Sequence, residues 1–374
     1  KHRNQNLCTF VHSLIVQKKT HMKSIKFIAC FLLLMCFNSQ LSAQLGNGKS
    51  SDIKEILQRP LIVIIEEPDP KIIKKFNKKG LEADAKDYIE DIKQYNANMK
   101  EMVEKYWKGN NKKILYKTFE AVRKLKSEQN TKYALLYCLP FLPSTQTISY
   151  YPLESMNQVV HLKEVYENEN LTRIITHMII KKIEDLYKKP IYMVPLVDVL
   201  PTKSSIKVGI HEIDTYFNYG IRKIEDKEIK QQKEEVAKNA PRLKDMTLLI
   251  RKDFLEEGTT KEALKAVYPY SFKLHSFNEY EKLVLQDDEK YAYLVTQSVL
   301  VASRSAIVVH KIYATKDNTL LGIITPDVGR GKVILGNMFL GGTTSGSYVN
   351  EEIMKKFAEQ ISGEEEDKDK KQKK

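Results

Sequence analysis

Two stretches of the chain have related sequences: residues 117–136 are KTFEAVRKLKSEQNTKYALL and residues 275–294 are HSFNEYEKLVLQDDEKYAYL. At a constant offset of 158 and without gaps, seven of these 20 positions are identical. A random register would give about one or two identities. The identical pairs are Phe119/Phe277, Lys124/Lys282, Leu125/Leu283, Lys132/Lys290, Tyr133/Tyr291, Ala134/Ala292 and Leu136/Leu294. The sequence therefore predicts that one structural unit occurs twice.

Each copy has the same predicted order of strands and helices. Short β-branched runs such as Leu61–Ile65 are typical of strands that are buried on both faces. A run with apolar residues every three or four positions, from Tyr88 to Tyr106, predicts a long helix. The predicted strands are 61–65, 113–116 and 133–138 in the first copy, and 247–250, 271–274 and 291–295 in the second. With a helix between consecutive strands, we predict an α/β fold of two repeated β-α-β-α-β units, whose mainly parallel sheets are covered by helices.

Outside the repeat, the two copies are expected to differ. In the second copy, residues 306–314 and 319–324 predict a β-hairpin around a Lys-Asp-Asn turn, and a last helix is expected over 349–361. In the first copy, apolar spacing predicts helices over 171–187 and 210–224. The predicted domains are 44–224 and 246–362, separated by a charged, solvated linker at 225–245 and followed by a disordered charged tail at 363–374.

The amino-terminal region has the layout of a secretory signal peptide. Met22 begins a short basic stretch, an apolar run follows at 27–37, and small residues lead to Ala43. We therefore interpret 22–43 as a cleaved signal peptide and 1–21 as an upstream extension. Two alternatives stay open: an uncleaved anchor, and a lipoprotein with its lipid on Cys36, although Met35 is bulkier than the residue expected there. The apolar run is too short to span a bilayer, and we expect no transmembrane helix after cleavage.

Removal of residues 1–43 changes the composition. The full chain has 61 Lys and Arg against 48 Asp and Glu. The leader holds six of the bases and no acid, which leaves 55 against 48, a net charge of +7. This mild excess, without basic clusters interleaved with aromatic residues, argues against a nucleic-acid partner. Cys138 would be the remaining cysteine, so the sequence predicts an inert buried thiol and no internal disulfide.

Charged residues follow the first strand of each copy, at the strand ends where parallel α/β sheets usually bind ligands. Glu66 and Glu67 follow the strand in the first copy, and Arg251 and Lys252 occupy what looks like the matching place in the second. Opposite charges there would let the copies face each other or bind a polar ligand between them. The simpler interpretation is that water solvates these strand ends.

A glycine-rich stretch at 322–346 offers a second candidate binding site. It contains Arg330 and Lys332 and precedes the last predicted helix, whose amino terminus would favour an anion. A purely structural loop explains the same glycines. The sequence contains no CxxC, HExxH, P-loop or GxSxG motif, so we expect no metal, cofactor or catalytic residue of those classes.

Several segments resemble secreted proteins of Gram-negative bacteria that have not been characterised: the Arg59–Glu67 run, Tyr106-Trp107, Tyr268-Pro-Tyr270 and Lys290–Leu294. The order of elements is also similar to that of the small α/β domains of periplasmic assembly proteins, namely the curli secretion lipoprotein and the amino-terminal domain of the Tol-system propeller protein. The resemblance implies a periplasmic or secreted protein but implies no specific activity.

From these observations we expect an exported cell-envelope protein that binds a partner protein or a polar ligand and is not an enzyme. The alternative is an envelope hydrolase or transferase that uses carboxylates at the strand ends. That alternative requires Glu66 and Glu67 to converge with bases from the second copy.

Overall fold

A computed structural model describes residues 49–109, 113–141, 175–188, 190–198, 200–221, 228–302, 305–325 and 348–363. All of these described residues belong to one compact unit, which contains both sheets. Its helices are α1 (Ser50–Gln58), α2 (Pro70–Lys78), α3 (Glu82–Tyr106), α4 (Phe119–Ser127), α5 (Lys203–Ile221), α6 (Glu228–Asn239), α7 (Lys261–Val267), α8 (Phe277–Val284) and α9 (Glu351–Ser362). Its strands are β1 (Leu61–Ile65), β2 (Ile114–Thr118), β3 (Ala134–Phe141), β4 (Ile175–Lys182), β5 (Tyr192–Pro195), β6 (Thr247–Arg251), β7 (Phe272–His275), β8 (Tyr291–Ala302), β9 (Ser305–Ala314) and β10 (Leu320–Ile324).

The ten strands within the described ranges form two five-stranded sheets of identical topology. The first sheet has the order β2-β1-β3-β4-β5 and the second the order β7-β6-β8-β9-β10. In both, the first three strands are parallel, and the last two are added in antiparallel orientation. The predicted α/β class, the duplication and the β9–β10 hairpin are confirmed. The first unit has an antiparallel extension as well, which the sequence did not predict.

The repeat is preserved in the hydrogen-bonding register. Leu61 lies opposite Ile114 and Ala134 in the first sheet, and Leu248 lies opposite Phe272 and Ala292 in the second. Both partner pairs differ by the offset of 158 found in the sequence. The helix between these strands also begins at corresponding residues, because Thr118 and Ser276 are the amino-terminal caps of α4 and α8. The turn after each helix contains a residue with φ of +54°, Gln129 in one copy and Asp287 in the other.

Each sheet is covered by helices on both faces. On the first sheet, α4 buries Val122 against Ile62 and Ile64, and α3 lies on the opposite face, where Met99 Sδ is 3.7 Å from Cys138 Sγ. On the second sheet, α8 and Val208 of α5 pack on one face, whereas α6, α7 and α9 share a core on the other. Helix α5 thus contributes to the core of the second sheet although it follows the strands of the first.

The prediction of a helix over 171–187 is wrong. In the part of this range that the structure describes, residues 175–182 form strand β4. Its residues are buried on both faces, so the apolar residues do not alternate and their spacing resembles that of a helix. The Ile and Thr side chains and two neighbouring strands favour the extended form. The predicted helix at 210–224 also begins earlier, at Lys203.

The charged segment at 225–245 is predicted to be solvated, but part of its described length is buried. Residues 228–239 form α6, and a 3₁₀ turn follows over Ala240–Asp245. Val236, Ala240 and Leu243 are buried in the core of the second sheet. These few apolar residues were too sparse to reveal the buried face.

We predict that Gly209→Val lowers the free energy of unfolding by about 1–3 kcal/mol, the usual cost of overpacking a core. A Cβ at Gly209 would lie 2.9 Å from Leu196 Cδ2 and 3.1 Å from Met178 Sδ. Both neighbours are buried, so they have little space in which to move. The measurement is equilibrium urea unfolding, and the control is Ala83→Val on the exposed side of α3. Equal losses in the two variants would contradict the close approach of α5 to the first sheet.

Candidate functional site

The loop after β1 places Glu66 and Glu67 at the carboxyl end of the first sheet, as predicted. Two hydrogen bonds with the Asn96 amide hold the backbone of Glu66: its N–H donates to Oδ1 at 2.9 Å, and its carbonyl accepts from Nδ2 at 2.8 Å. Three residues later, the Asp69 N–H donates to Tyr88 Oη at 2.9 Å. Helix α3 therefore fixes this loop at two points.

The Glu66 side chain is partly buried, and burial raises its pKa to about 8. Burial also raises the pKa of Tyr95 and of Cys138, and the nearby Glu66 charge adds to both effects. In the described part of the chain, no hydrogen bond or ion pair reaches the Glu66 carboxyl group. At neutral pH this group is mostly protonated, so it can both donate and accept a hydrogen bond. Glu67, by contrast, is exposed.

Arg251, at the end of β6, is held by two carboxylates and two aromatic rings. Its Nη1 is 2.7 Å from Asp198 Oδ1, and its Nε and Nη2 are 3.0 and 2.5 Å from the two carboxylate oxygens of Asp253. The guanidinium carbon lies 4.4 Å from the ring centre of Phe254 and 4.9 Å from that of Phe277. These contacts, which we call the Arg251 cluster, attach the loop that contains Asp198 to the second sheet.

The pairing of opposite charges between the copies, which the sequence left open, does not occur among the described contacts, and Arg251 is buried and not solvated as the simpler interpretation had it. The acids bonded to Arg251 are Asp198 and Asp253, and no described contact joins Glu66 or Glu67 to Arg251 or to the exposed Lys252. The register explains the difference. Because Leu61 and Leu248 occupy matching positions, Glu66 corresponds to Asp253 and not to Arg251. Arg330 and Lys332 lie outside the described residues.

The amino terminus of α5 is tied to the second unit by side chains that the sequence analysis missed. Thr202 Oγ1 donates to Asp198 Oδ2 at 2.7 Å, and the Ser204 N–H donates to Glu281 Oε2 at 3.1 Å. Thr202 and Ser205 also cap each other, with each backbone N–H donating to the other hydroxyl group. Because Thr and Ser are favoured at helix starts, the Thr-Lys-Ser-Ser sequence could have indicated this beginning.

Lys207 of α5 forms the second polar connection. Its side chain is 0% exposed, and Nζ donates to Val284 O at 3.0 Å, Thr315 O at 2.7 Å and Asp287 Oδ1 at 2.8 Å. Asp287 also accepts a hydrogen bond from Tyr106 Oη at 2.9 Å and pairs with Lys105 Nζ at 2.8 Å. This Lys207 cluster joins α3, α5 and the second sheet. The sequence does not reveal this cluster, because a single lysine on an amphipathic helix does not indicate which groups it contacts.

The described residues show neither a metal site nor a membrane span. No group of three or more His, Cys, Asp or Glu among them could hold a metal ion. Glu212, which lies in an acidic and histidine-containing stretch of α5, accepts hydrogen bonds from Lys311 and Tyr313. Within the same described ranges, no helix combines the length and apolarity needed to cross a bilayer.

We predict that Asp287→Asn lowers the free energy of unfolding by about 3 kcal/mol or more, because it leaves the buried Lys207 charge without its carboxylate. Asn tolerates the positive φ of this position, so the change tests the charge and not the backbone. Lys207→Met should cost less, since Asp287 keeps Lys105 and Tyr106. Chemical unfolding of both single variants and the double variant measures the coupling. If the losses of unfolding free energy in the two single variants add up to the loss in the double variant, the two residues act independently.

We also predict that the stability difference between the wild type and Asp287→Asn shrinks in acid. Burial alone would raise the pKa of Asp287, but hydrogen bonds from Lys105 and Lys207 outweigh it and lower the pKa. A carboxylate with a lowered folded-state pKa stabilises the fold above its unfolded pKa, and this stabilisation is lost as the pH falls through the folded value. The difference should therefore persist at neutral pH and decrease below about pH 4. Unfolding measured across this range would contradict the assignment if the difference stayed constant.

Comparison with known proteins identifies no relative of this chain. No protein-family model, no curated protein and no solved structure matches it. The function is therefore inferred from the contacts of its own residues.

Proposed function

We propose that this chain is an exported protein of the bacterial cell envelope that binds a partner protein or a polar ligand and does not catalyse a reaction. The basic stretch, the apolar run at 27–37 and the small residues up to Ala43 support export. Duplicated α/β units with loops at the carboxyl ends of parallel strands support a binding role.

The observation that carries the proposal is that other residues of the protein already bind Arg251. As a cation at a strand end, it is the kind of group that a catalytic site would use to stabilise negative charge. Here two carboxylates neutralise it and aromatic rings cover it. Lys207 is likewise surrounded by a carboxylate and two carbonyl groups. Both cations hold α5 to the second sheet and are therefore not available to a reacting substrate.

The binding position that these contacts favour is the loop containing Glu66. Asn96 and Tyr88 fix its backbone, while the Glu66 carboxyl group has no partner in the described part of the chain. A fixed loop loses little conformational entropy when a ligand binds. A protonated carboxyl group there would hydrogen-bond to a carbonyl, hydroxyl or carboxylate group of the ligand or partner.

One observation favours the alternative of a hydrolase or transferase. The pKa of about 8 for Glu66 is suitable for a general acid at neutral pH. This mechanism also needs a second group within reach of the substrate, and the neighbouring carboxylate, Glu67, is exposed. If the purified protein has hydrolase or transferase activity and Glu66→Gln abolishes it, the result would support the enzymatic alternative and contradict the proposed binding function.

Export is tested by fusing residues 22–48 to an alkaline phosphatase that is active only outside the cytoplasm. In a Gram-negative host we expect phosphatase activity and a fusion protein shortened by cleavage after Ala43. The control replaces Leu32 and Leu33 with Asp, which interrupts the apolar run and should abolish activity. Equal activity of the two fusions would contradict export by this segment.

Binding is tested by site-specific photo-cross-linking in intact cells. The cross-linker replaces Glu67, beside the proposed binding position, or Lys132, an exposed residue before β3 at the opposite end of the sheet. We expect an adduct of one defined mass from position 67 that is weakened by Glu66→Gln and absent from position 132. The same adducts from both positions would contradict a binding site at the Glu66 loop.

A further inference from the structure

Helix α2 presents a basic surface close to the carboxyl end of the first sheet. Residues 70–81 contain five lysines and no acid, and all five lysines are exposed. Lys71, Lys74 and Lys78 are three and four positions apart, so they lie along one side of the helix. Lys75 and Lys79 interact with other groups of the protein. Lys71, Lys74 and Lys78 form no ion pair in the part of the chain that the structure describes.

The apolar side of α2 is already occupied. Phe76 is buried, and it packs with Ala85, Tyr88 and Ile92 of α3 in a separate small core. The ring centres of Phe76 and Tyr88 are 6.4 Å apart. Helix α2 is therefore held in place with its lysines outward, and it cannot insert its apolar face into another surface without leaving α3.

Leu81 adds an exposed apolar side chain at the end of this basic helix. Gly80 has φ of +71°, and the Leu81 N–H donates to Phe76 O at 3.0 Å, which closes the helix with a Schellman turn. Leu81 is also the amino-terminal cap of α3, where it forms no side-chain cap, although Ser, Thr, Asp and Asn are preferred there. It remains 37% exposed, one of five exposed large hydrophobic residues among those described. Leu81 therefore leaves apolar surface exposed directly after the lysine-rich helix.

We propose that the basic side of α2 together with Leu81 docks the protein on an anionic lipid surface. Lysines attract the phosphate groups of the lipids, and the exposed leucine at the end of the helix can enter the boundary between the headgroups and the acyl chains. An acidic protein or a soluble polyanion would use the lysines but would gain little from Leu81. Glu82 and Asp84, in the first turn of α3, lie next to this surface and weaken the attraction. The docking is therefore reversible and depends on several lysines acting together.

The first test measures binding of residues 44–374, the chain expected after signal cleavage, to vesicles by sedimentation. The vesicles contain phosphatidylcholine alone or phosphatidylcholine mixed with phosphatidylglycerol. We expect binding to the anionic vesicles and much weaker binding to the neutral ones. Each lysine near such a surface contributes about fivefold to the affinity, so the triple variant K71Q/K74Q/K78Q should bind about 100-fold more weakly.

The matched control is K261Q/K265Q/K273Q, which removes three exposed lysines from the second unit with the same change in net charge. It should bind anionic vesicles nearly as well as the wild type. Circular dichroism confirms that each variant is folded. Equal losses in the two triple variants would overturn the proposal, because they would show that net charge and not the α2 surface determines binding.

The second test separates lipid from other anionic partners through Leu81. Leu81→Ser should weaken binding to anionic vesicles severalfold and leave binding to immobilised heparin unchanged. If Leu81→Ser has no effect on vesicle binding, or if the protein binds heparin but no vesicles, the surface serves a soluble polyanion or an acidic protein and the lipid proposal is wrong. This test does not depend on the ligand of the Glu66 loop, so either proposal can fail without the other.

Discussion

The architecture depends on how α5 is attached to the second sheet. This helix follows the strands of the first unit, yet two buried cations join it to the second: Lys207 within the helix, and Arg251, which reaches it through Asp198 and Thr202. Val208, which follows Lys207 in the chain, packs in the apolar core of the second sheet. Because removing one partner of a buried ion pair leaves an uncompensated charge, each cluster strongly favours a single placement of the helix. The positions of Gly209 against the first sheet and of α8 against the second follow from that placement.

The sequence was sufficient to predict the repeat, the α/β class and most elements of the second unit, because these depend on local patterns. The offset of 158 is the same in the sequence and in the strand register. Strand β4 was mistaken for a helix because both of its faces are buried, which removes the alternation that identifies a strand. Whether a run such as Ile175–Lys182 forms a helix or a strand depends on neighbours that local spacing does not reveal.

The candidate site was predicted in part. The place of Glu66 directly after a parallel strand identifies it as a candidate from the sequence. In the structure, Asn96 holds the backbone of Glu66, and burial raises the pKa of its carboxyl group. Arg251 was selected by the same rule, but the structure gives it a packing role. Asp198, which attaches Arg251 to the loop before α5, is 53 residues away from it in the chain. Such long-range partners leave no trace in one sequence, because the charge of an isolated Asp or Glu does not indicate what it contacts.

The partners of Lys207 also affect the order in which the protein can fold. The chain emerges from its amino terminus, whether it leaves a ribosome or an export channel, and Lys207 emerges before the groups that surround it, which follow 77, 80 and 108 residues later. Until Thr315 has emerged, the ammonium group keeps its hydration shell and α5 has no complete docking surface. Helix α5 can therefore reach its final position on the second sheet only after nearly all of that sheet has emerged.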